Sequence, residues 1–279
     1  MIDVDGYLAA LGVARPAAPT AEALWALHRA QVERFAFENI DIHLGRPTSI
    51  LPEESVARFM RGRGGYCFHL NGAFSELLKT LGYDVTLHWG GMQGSPDEIP
   101  GANGDHLALT VLLDGERWLV DTGQAGGIYE PLPLREGTYT QGPFTYAMAL
   151  SDTVPGGWRF THDPRGAFIS MDFAPEPVEL SAFAEMHTYL STDPESGFVR
   201  TATAQLRGAK GVDVLRGCVL RRIHGGGTDQ RVIDSADDWY EVLAGVFRLD
   251  LGDVDAAARA DLWQRVRKAH QEWEAARGQ

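Results

Sequence analysis

Cys67 is the residue of this sequence whose type and surroundings best suit it to chemistry. It closes the segment RGRGGYC (residues 61–67) and stands just before a stretch with strong helical periodicity. The N-terminus of a helix offers unpaired N–H groups and a partial positive charge, both of which favour a thiolate over a thiol. Arg61 and Arg63 are expected to add positive potential nearby. The alternative is an ordinary buried cysteine, and position alone does not separate the two.

A predicted β-hairpin brings two further functional groups together. The dipeptide Asp114-Gly115 separates two apolar runs, which is a strong signal for a two-residue turn. With this turn, Asp121 lies opposite Ala108 and on the same face of the sheet as His106. The imidazole and the carboxylate are then diagonal neighbours within reach of a hydrogen bond.

Together, the thiol, the imidazole and the carboxylate predict nucleophilic cysteine catalysis. In that arrangement a carboxylate orients an imidazole, and the imidazole takes a proton from the nucleophile. Taken singly, the histidine is equally well a half-buried polar residue and the aspartate a turn former at the end of a strand. Their match in register favours catalysis.

The elements that must position these groups follow from the spacing of apolar residues. A helix is predicted from about Phe68 to Leu81, with Gly82 in the position of a C-terminal glycine. Thr20 predicts the N-cap of an earlier helix, and Pro52 the start of another. Strand character extends to about residue 175. Strands over 214–223 and 231–233 and helices over 236–246 and 256–276 are predicted to follow.

Composition limits the class of protein. The chain has 279 residues, 44% of them hydrophobic and 23% charged, and a net charge of −13. These values are typical of a folded globular protein, and the negative charge disfavours binding to nucleic acid or to anionic membranes. Two cysteines, no signal-like N-terminus and no long apolar stretch predict a cytoplasmic protein. Cys218 is expected to be buried and inert.

At this point the sequence is identified as a member of a known family. RGGYCF (63–68) with Asn71 resembles the RGGYCFExN motif of the arylamine N-acetyltransferases, and FENID (37–41) resembles their FENLD segment. Asp105-His106 precedes the expected strand, and LVDTGQAGG (119–127) is similar to their LVDVGFG motif. The similarity extends along the whole chain.

The resemblance implies an α+β fold in three parts: a helical bundle over residues 1–84, an antiparallel β-barrel over 85–190 and an α/β lid over 191–279. It implies a ping-pong mechanism in which Cys67 is the nucleophile, His106 its base and Asp121 the orienting carboxylate. The acyl donor would be acetyl-coenzyme A and the acceptor a small arylamine. No metal is expected, since the remaining histidines lack metal-ligand spacing.

Contacts to the two substrates are also expectations. The resemblance implies that substrate is contacted by Phe37, Tyr66, Phe68 and Gln124. The glycine-rich segment after the second hairpin strand is expected to let the donor's phosphates or pantetheine arm approach the backbone at Gly123, Gly126 and Gly127.

Two positions depart from the family pattern. His69 stands where the family often has glutamate, and a packing or solvent-facing role is expected there in preference to tuning of the thiol. Gln124 replaces a phenylalanine that lines the acceptor pocket in the family. An amide at this position lacks the stacking surface of a ring and offers hydrogen bonds in its place.

The change at Gln124 keeps a related function open. Amide synthases that close macrolactams in ansamycin-type polyketide pathways resemble the acetyltransferases throughout. They take an acyl chain from the phosphopantetheine arm of an acyl carrier protein and join it to an amine on the same chain. Arg216, Arg221 and Arg222 would be available to dock such an acidic carrier, although a solvated strand face is the alternative.

Two further classes stay open on the residues alone. A cysteine hydrolase or transglutaminase-like enzyme shares the order Cys, His, Asp and predicts no stable acyl-enzyme from acetyl-coenzyme A. A non-catalytic binding protein on the same fold has no need of all three residues together. The oligomeric state is not indicated by the sequence.

Overall fold

A computed structural model of the protein describes residues 1–277. The chain folds into helices and two antiparallel sheets, one of eight strands and one of five. The helices are α1 (Val4–Leu11), α2 (Ala21–Arg34), α3 (Ile40–His43), α4 (Pro52–Met60), α5 (Cys67–Thr80), α6 (Ala184–Thr192), α7 (Gly197–Arg200), α8 (Ala236–Gly245) and α9 (Ala256–Arg277). The strands are β1 (Phe37–Glu38), β2 (Asp84–Gln93), β3 (His106–Leu113), β4 (Glu116–Leu119), β5 (Leu132–Pro133), β6 (Gly137–Gln141), β7 (Phe144–Leu150), β8 (Trp158–Thr161), β9 (Ser170–Pro177), β10 (Thr203–Gly208), β11 (Gly211–Arg216), β12 (Val219–His224) and β13 (Gly227–Val232).

The N-terminal helices form where local sequence predicts them. The Thr20 hydroxyl accepts a hydrogen bond from the N–H of Ala23 at 3.3 Å and caps α2. Helix α4 begins at Pro52, and α5 is followed by Gly82 with a left-handed φ of 92°. Helix α5 begins one residue earlier than predicted, so Cys67 is its first helical residue. These predictions are confirmed.

The eight-stranded sheet curls into a nearly closed barrel. Its strand order is β5-β4-β3-β2-β9-β8-β7-β6. The β3–β4 hairpin has the predicted register, with Leu113 paired to Glu116. Asp114 and Gly115 both have positive φ, as a type I′ turn requires. Aromatic side chains fill the space between the strands, among them Phe144, Tyr146, Phe160 and Phe173.

The five-stranded sheet forms a lid with α8 and α9. Its order is β1-β10-β11-β12-β13, so a two-residue strand from the N-terminal region forms one edge. The prediction of one strand over 214–223 is wrong, because Gly217, with φ 57°, turns the chain and separates β11 from β12. One face of this sheet packs on α8 and α9 through Leu215, Trp239 and Leu262.

The fold is therefore the α+β arrangement of helical bundle, barrel and lid. The boundaries at residues 84 and 190 stay predictions. No helix within residues 1–277 is both long and apolar enough to cross a membrane.

Candidate active site

Three separate elements bring Cys67, His106 and Asp121 together. Cys67 is the first residue of α5, His106 is the first residue of β3, and Asp121 follows β4 by two residues. The Nε2 atom of His106 lies 2.7 Å from Oδ2 of Asp121, and the Cys67 sulfur lies near enough to the same imidazole to raise its pKa, while the thiol donates to the carbonyl of Asp105 at 3.7 Å. Since Nε2 is used by the carboxylate, Nδ1 is the ring nitrogen left for the sulfur.

The electrostatics of this group follow from its burial. Cys67, His106 and Asp121 are 3%, 2% and 1% exposed. Burial alone lowers the pKa of His106, but the Asp121 carboxylate and the Cys67 sulfur outweigh it and raise this pKa well above its ordinary value. The imidazole is therefore readily held as imidazolium beside the sulfur, and it can both accept and return a proton.

Asn71 fixes the carboxylate from the other side. Its side-chain N–H groups donate to Oδ1 of Asp121 at 2.6 Å and to the carbonyl of Leu107 at 2.7 Å. Its carbonyl oxygen accepts the N–H of Thr122 at 2.9 Å. Because Asn71 is one helical turn beyond Cys67, a single helix presents the thiol and orients the Asp121 carboxylate. The sequence motif that contains Asn71 does not by itself indicate this role.

A buried ion cluster holds the segment before Cys67. Asp41 binds both Arg58 and Arg63, and Glu38 binds Arg58 and accepts the backbone N–H of Gly64, each at 3.2 Å. The expectation that Arg63 adds positive potential at the thiol is wrong, because Asp41 neutralises it. The FENID segment therefore acts as a scaffold for the cysteine segment.

His69 is a packing residue, which is one of the two roles expected for it; the other was a solvent-facing role. It is fully buried at the third position of α5, and its Nδ1 accepts the N–H of Tyr66 at 3.3 Å. A glutamate at this position of a helix usually makes that bond. Burial, Arg58 and His187 lower the pKa of His69 well below its ordinary value, so the ring stays neutral and keeps an acceptor.

Two of the residues expected to contact substrate lie in the core. Tyr66 and Phe68 are 1% and 0% exposed. The Tyr66 hydroxyl donates to Nδ1 of His187 at 2.6 Å, and the Phe68 ring packs on Phe183 with centroids 5.1 Å apart. Both contacts are structural. Substrate contact by either ring stays a prediction.

Phe37 and Gln124 instead line a small pocket beside Asp121. Gln124 is buried; its Oε1 accepts the N–H of Ile128 at 3.4 Å, and its Nε2 lies 3.7 Å from Sδ of Met171. Both ends of the Gln124 amide therefore contact other residues of the protein.

The three glycines expected to meet the donor follow Asp121 in the chain. Gly126 and Gly127 line the same small pocket. Gly123 packs directly on Cys67, since a Cβ there would lie 2.7 Å from Cα of that residue. Glycine at 123 therefore serves close packing on the cysteine backbone. Over the described part of the chain, no group of three or more His, Cys, Asp or Glu side chains is arranged to hold a metal ion.

The chain is similar to known proteins over most of its length. A family model described as N-acetyltransferase matches residues 20–256. An arylamine N-acetyltransferase of Mycolicibacterium smegmatis is 30% identical over 283 residues, covering 95% of this chain and 97% of the relative. Proansamycin X synthase of Amycolatopsis mediterranei is 33% identical over 158 residues, covering 55% of this chain and 60% of that protein.

Solved structures share the fold. The arylamine N-acetyltransferase of Mycobacterium abscessus superimposes with a TM-score of 0.85 at 25% identity, over 95% of both chains. The Mycobacterium marinum arylamine N-acetyltransferase in complex with CoA gives 0.85 at 26% identity, over 96% of this chain and 99% of the other. With a family model over most of its length and a 30% identical relative over nearly all of it, this chain belongs to the arylamine N-acetyltransferase family of acyltransferases.

Proposed function

We propose that the protein transfers an acetyl group from acetyl-coenzyme A to a small arylamine, by way of an acetyl thioester on Cys67. The observation that carries the proposal is the His106–Asp121 hydrogen bond of 2.7 Å, with the Cys67 sulfur near the same imidazole. This arrangement supplies a nucleophile, a proton carrier and a group that orients the carrier.

In the first half-reaction the Cys67 sulfur attacks the thioester carbonyl carbon. The tetrahedral intermediate collapses, the bond from carbon to the coenzyme sulfur breaks, and the leaving thiolate takes its proton from the His106 imidazolium. Exchange of one thioester for another is nearly isoenergetic. In the first turn of α5 the N–H groups of His69 and Leu70 donate to the carbonyl of Tyr66, so we assign the preceding N–H groups, those of Cys67 and Phe68, to the developing oxyanion.

In the second half-reaction the amine nitrogen attacks the acetyl-cysteine. His106 removes the amine proton as the C–N bond forms and the C–S bond breaks, which regenerates the thiolate–imidazolium pair. Amide formation from a thioester runs downhill, so this step drives the cycle. Asp121 keeps the imidazole in the orientation that both steps need.

Intact-mass analysis tests the proposal. After incubation with acetyl-coenzyme A and no amine, the protein should gain one acetyl group, and Cys67→Ala should gain none. Cys218 is an internal control for cysteine reactivity, because burial raises the pKa of its thiol to about 11. A protein that hydrolyses amides and leaves no acetyl adduct would instead support the cysteine-hydrolase alternative.

A cavity of about 610 Å³ under the lid sheet suits the donor. Gln205 lines both this cavity and the small pocket beside Asp121, so the two are adjacent. Arg216 and Arg221 also line it and are diagonal neighbours on one face, since Arg216 pairs with Val219 and Arg221 with Val214.

These two guanidiniums support phosphate binding. Within residues 1–277 neither forms a salt bridge, and like charges this close favour an anion between them. Arg222, which sequence reasoning grouped with them, faces the other side of the strand and binds Asp213 at 2.6 Å.

Paired variants test the donor cavity. The double variant Arg216→Gln, Arg221→Gln should raise the KM for acetyl-coenzyme A about tenfold, corresponding to loss of charge-assisted hydrogen bonds. Acylation by p-nitrophenyl acetate, which has no phosphate, should be unchanged. Arg222→Gln is the matched control and should behave as wild type. If the double variant slowed acylation by acetyl-coenzyme A and by p-nitrophenyl acetate equally, the assignment of these arginines to phosphate binding would be contradicted.

Macrolactam formation is the second candidate. Its support is Gln124, which stands where the family resemblance implies an aromatic wall of the acceptor pocket. Under this alternative the donor is an acyl chain on a carrier protein's phosphopantetheine, and the arginines meet its phosphate. A carrier-bound or thioester-mimic polyketide that leaves an adduct on Cys67, where acetyl-coenzyme A leaves none, would favour it. A cytoplasmic location stays a prediction.

A further inference from the structure

A buried guanidinium without a carboxylate partner connects both sheets beside the triad. Arg207 lies on β10, is 3% exposed and forms no salt bridge to any residue of the range 1–277. Its Nε donates to the carbonyl of Gly127 at 3.0 Å, and its Nη2 to the carbonyl of Gln141 at 3.3 Å. Its Nη1 donates to the carbonyl of Gly211 at 3.0 Å.

The surroundings of Arg207 are unusual for a buried charge. Its guanidinium carbon lies 4.8 Å from the Phe144 ring centroid and 5.3 Å from that of Tyr129. Ring faces and backbone carbonyls thus replace the carboxylate that normally accompanies a buried cation. The side chain joins the lid sheet, the barrel edge at β6 and the segment that follows the triad carboxylate.

We call that segment, residues 122–127, the site loop. Its first end is tied to the triad, since Asn71 accepts the Thr122 N–H at 2.9 Å. In its middle, Ala125 has φ 47° and Gly126 φ 87°, and an alanine in the left-handed region is strained. Its far end depends on the carbonyl of Gly127, which accepts bonds from Arg207 and, at 2.9 Å, from the Tyr146 hydroxyl.

We propose that Arg207 is a positioning residue that holds the site loop, and with it Gln124, at the acceptor side of the active site. The inference rests on the proposed function, in which the amine approaches past Gln124. Without Arg207, the strained middle of the loop relaxes and Gln124 moves. The triad keeps its geometry, because Asp121 is held at the near end of the loop by Asn71, His106 and the N–H of Gly123, none of which depends on Gly127.

Measuring the two half-reactions separately therefore distinguishes a residue that positions the site loop from one that supports the triad. In Arg207→Gln we expect the KM for the amine to rise about tenfold, while the rate of acylation by acetyl-coenzyme A stays within about twofold of wild type. Alkylation of Cys67 by iodoacetamide should also be unchanged. Arg207→Lys keeps the charge but loses the planar set of donors, and it should show the same rise in amine KM.

Arg165→Gln is the matched control. Arg165 also lies over the Phe144 ring, at 5.3 Å, but it is partly exposed, binds Asp163 at 2.8 Å and does not touch Gly127. Its loss should leave the amine KM unchanged. If it raises the amine KM as much as Arg207→Gln does, general weakening of the barrel explains both and the proposal is overturned.

A second variant covers failure of Arg207→Gln to fold. Tyr146→Phe removes the other donor to the Gly127 carbonyl without burying or deleting a charge, and it should raise the amine KM in the same way by about threefold. An unchanged amine KM in a folded Arg207 variant or in Tyr146→Phe overturns the proposal, as does a parallel fall of both half-reactions. Absence of an acetyl adduct on the wild-type protein would instead refute the proposed function.

Discussion

At the level of single residues, the candidate active site depends on side chains that each satisfy at least two neighbours. Asp121 offers one carboxylate oxygen to His106 and the other to Asn71 and to the N–H of Gly123. His69 accepts the Tyr66 N–H and uses its other nitrogen on the Thr48 hydroxyl at 3.2 Å. A substitution that changes the donor or acceptor pattern of one member therefore leaves a second buried group unpaired.

Asp121→Asn tests this coupling. The new amide keeps one acceptor oxygen and puts an NH2 donor at the other position, where it faces the N–H of either His106 or Asn71, so the imidazole loses its fixed orientation and tautomer. We expect the single-turnover acylation rate to fall by about 10³-fold or more. Asp84→Asn is the control, since Asp84 is exposed at the first position of β2, six residues along the strand from Gly90, the partner of His106. A wild-type rate for Asp121→Asn would remove Asp121 from its assigned role.

Gln124→Phe tests the departure from the family pattern. A ring at this position restores a stacking surface worth about 1 kcal/mol, so turnover of a small arylamine should rise about three- to tenfold. Turnover of an alkylamine of similar size should change little, since it has no ring to stack. An arylamine rate equal to or below that of wild type would count against an acceptor role for this residue.

At the level of elements, β1 decides how the cysteine segment meets the lid. Phe37 and Glu38 pair with β10 on one side, while Gly65 bridges to Phe37 on the other. The Glu38 N–H also donates to the Gly65 carbonyl at 3.0 Å. The strand is therefore a two-sided connection, and the helix that carries Cys67 is positioned by the lid as well as by its own bundle.

Gly64→Ala tests the fit of this connection. A Cβ at Gly64 would lie 1.9 Å from the carbonyl oxygen of Ala36, so the backbone must separate. We expect the free energy of unfolding in urea to fall by about 1–3 kcal/mol, and acylation to slow as Cys67 shifts. Gly245→Ala is the control, because it ends α8 with nothing within 4 Å of its Cβ. Equal stability of the two variants would contradict the expectation.

At the level of the whole molecule, histidines buried in the neutral form link folding to pH. His28 and His88 are 0% and 4% exposed. Burial lowers the pKa of each to about 4, against the partial opposition of the Tyr129 carbonyl, Asp121 and Glu130 at His28. Both rings therefore resist protonation in the folded state and accept a proton once the chain unfolds.

The sign of the pH dependence follows from this difference. The unfolded state binds protons near pH 6.5 and the folded state only near pH 4, so stability is lost as the pH falls through this window. Each group contributes up to roughly 3 kcal/mol. Urea unfolding between pH 7 and pH 4 should show this decline, and His28→Gln, which keeps a donor for the Tyr129 carbonyl, should make it shallower. A parallel curve for the variant would exclude His28 as a cause.

The sequence by itself determined the parts of the site that rest on local periodicity. The helix after Cys67 follows from apolar spacing, and the meeting of His106 with Asp121 follows from a two-residue turn at Asp114-Gly115 and the alternation of side chains along strands. These features need only short-range geometry, which residue types and spacing encode directly. The resemblance to the family added the fold and the reaction.

Only the tertiary structure decided which charged side chains are paired and with which partners. Asp41 neutralises Arg63, Arg222 turns away from Arg221, and Arg207 reaches Gly127, 80 residues away in the chain. Such contacts depend on how the bundle, barrel and lid pack together. No periodicity within one element specifies its partners in another, since those are fixed by the combined shape and polarity of all the surfaces that meet.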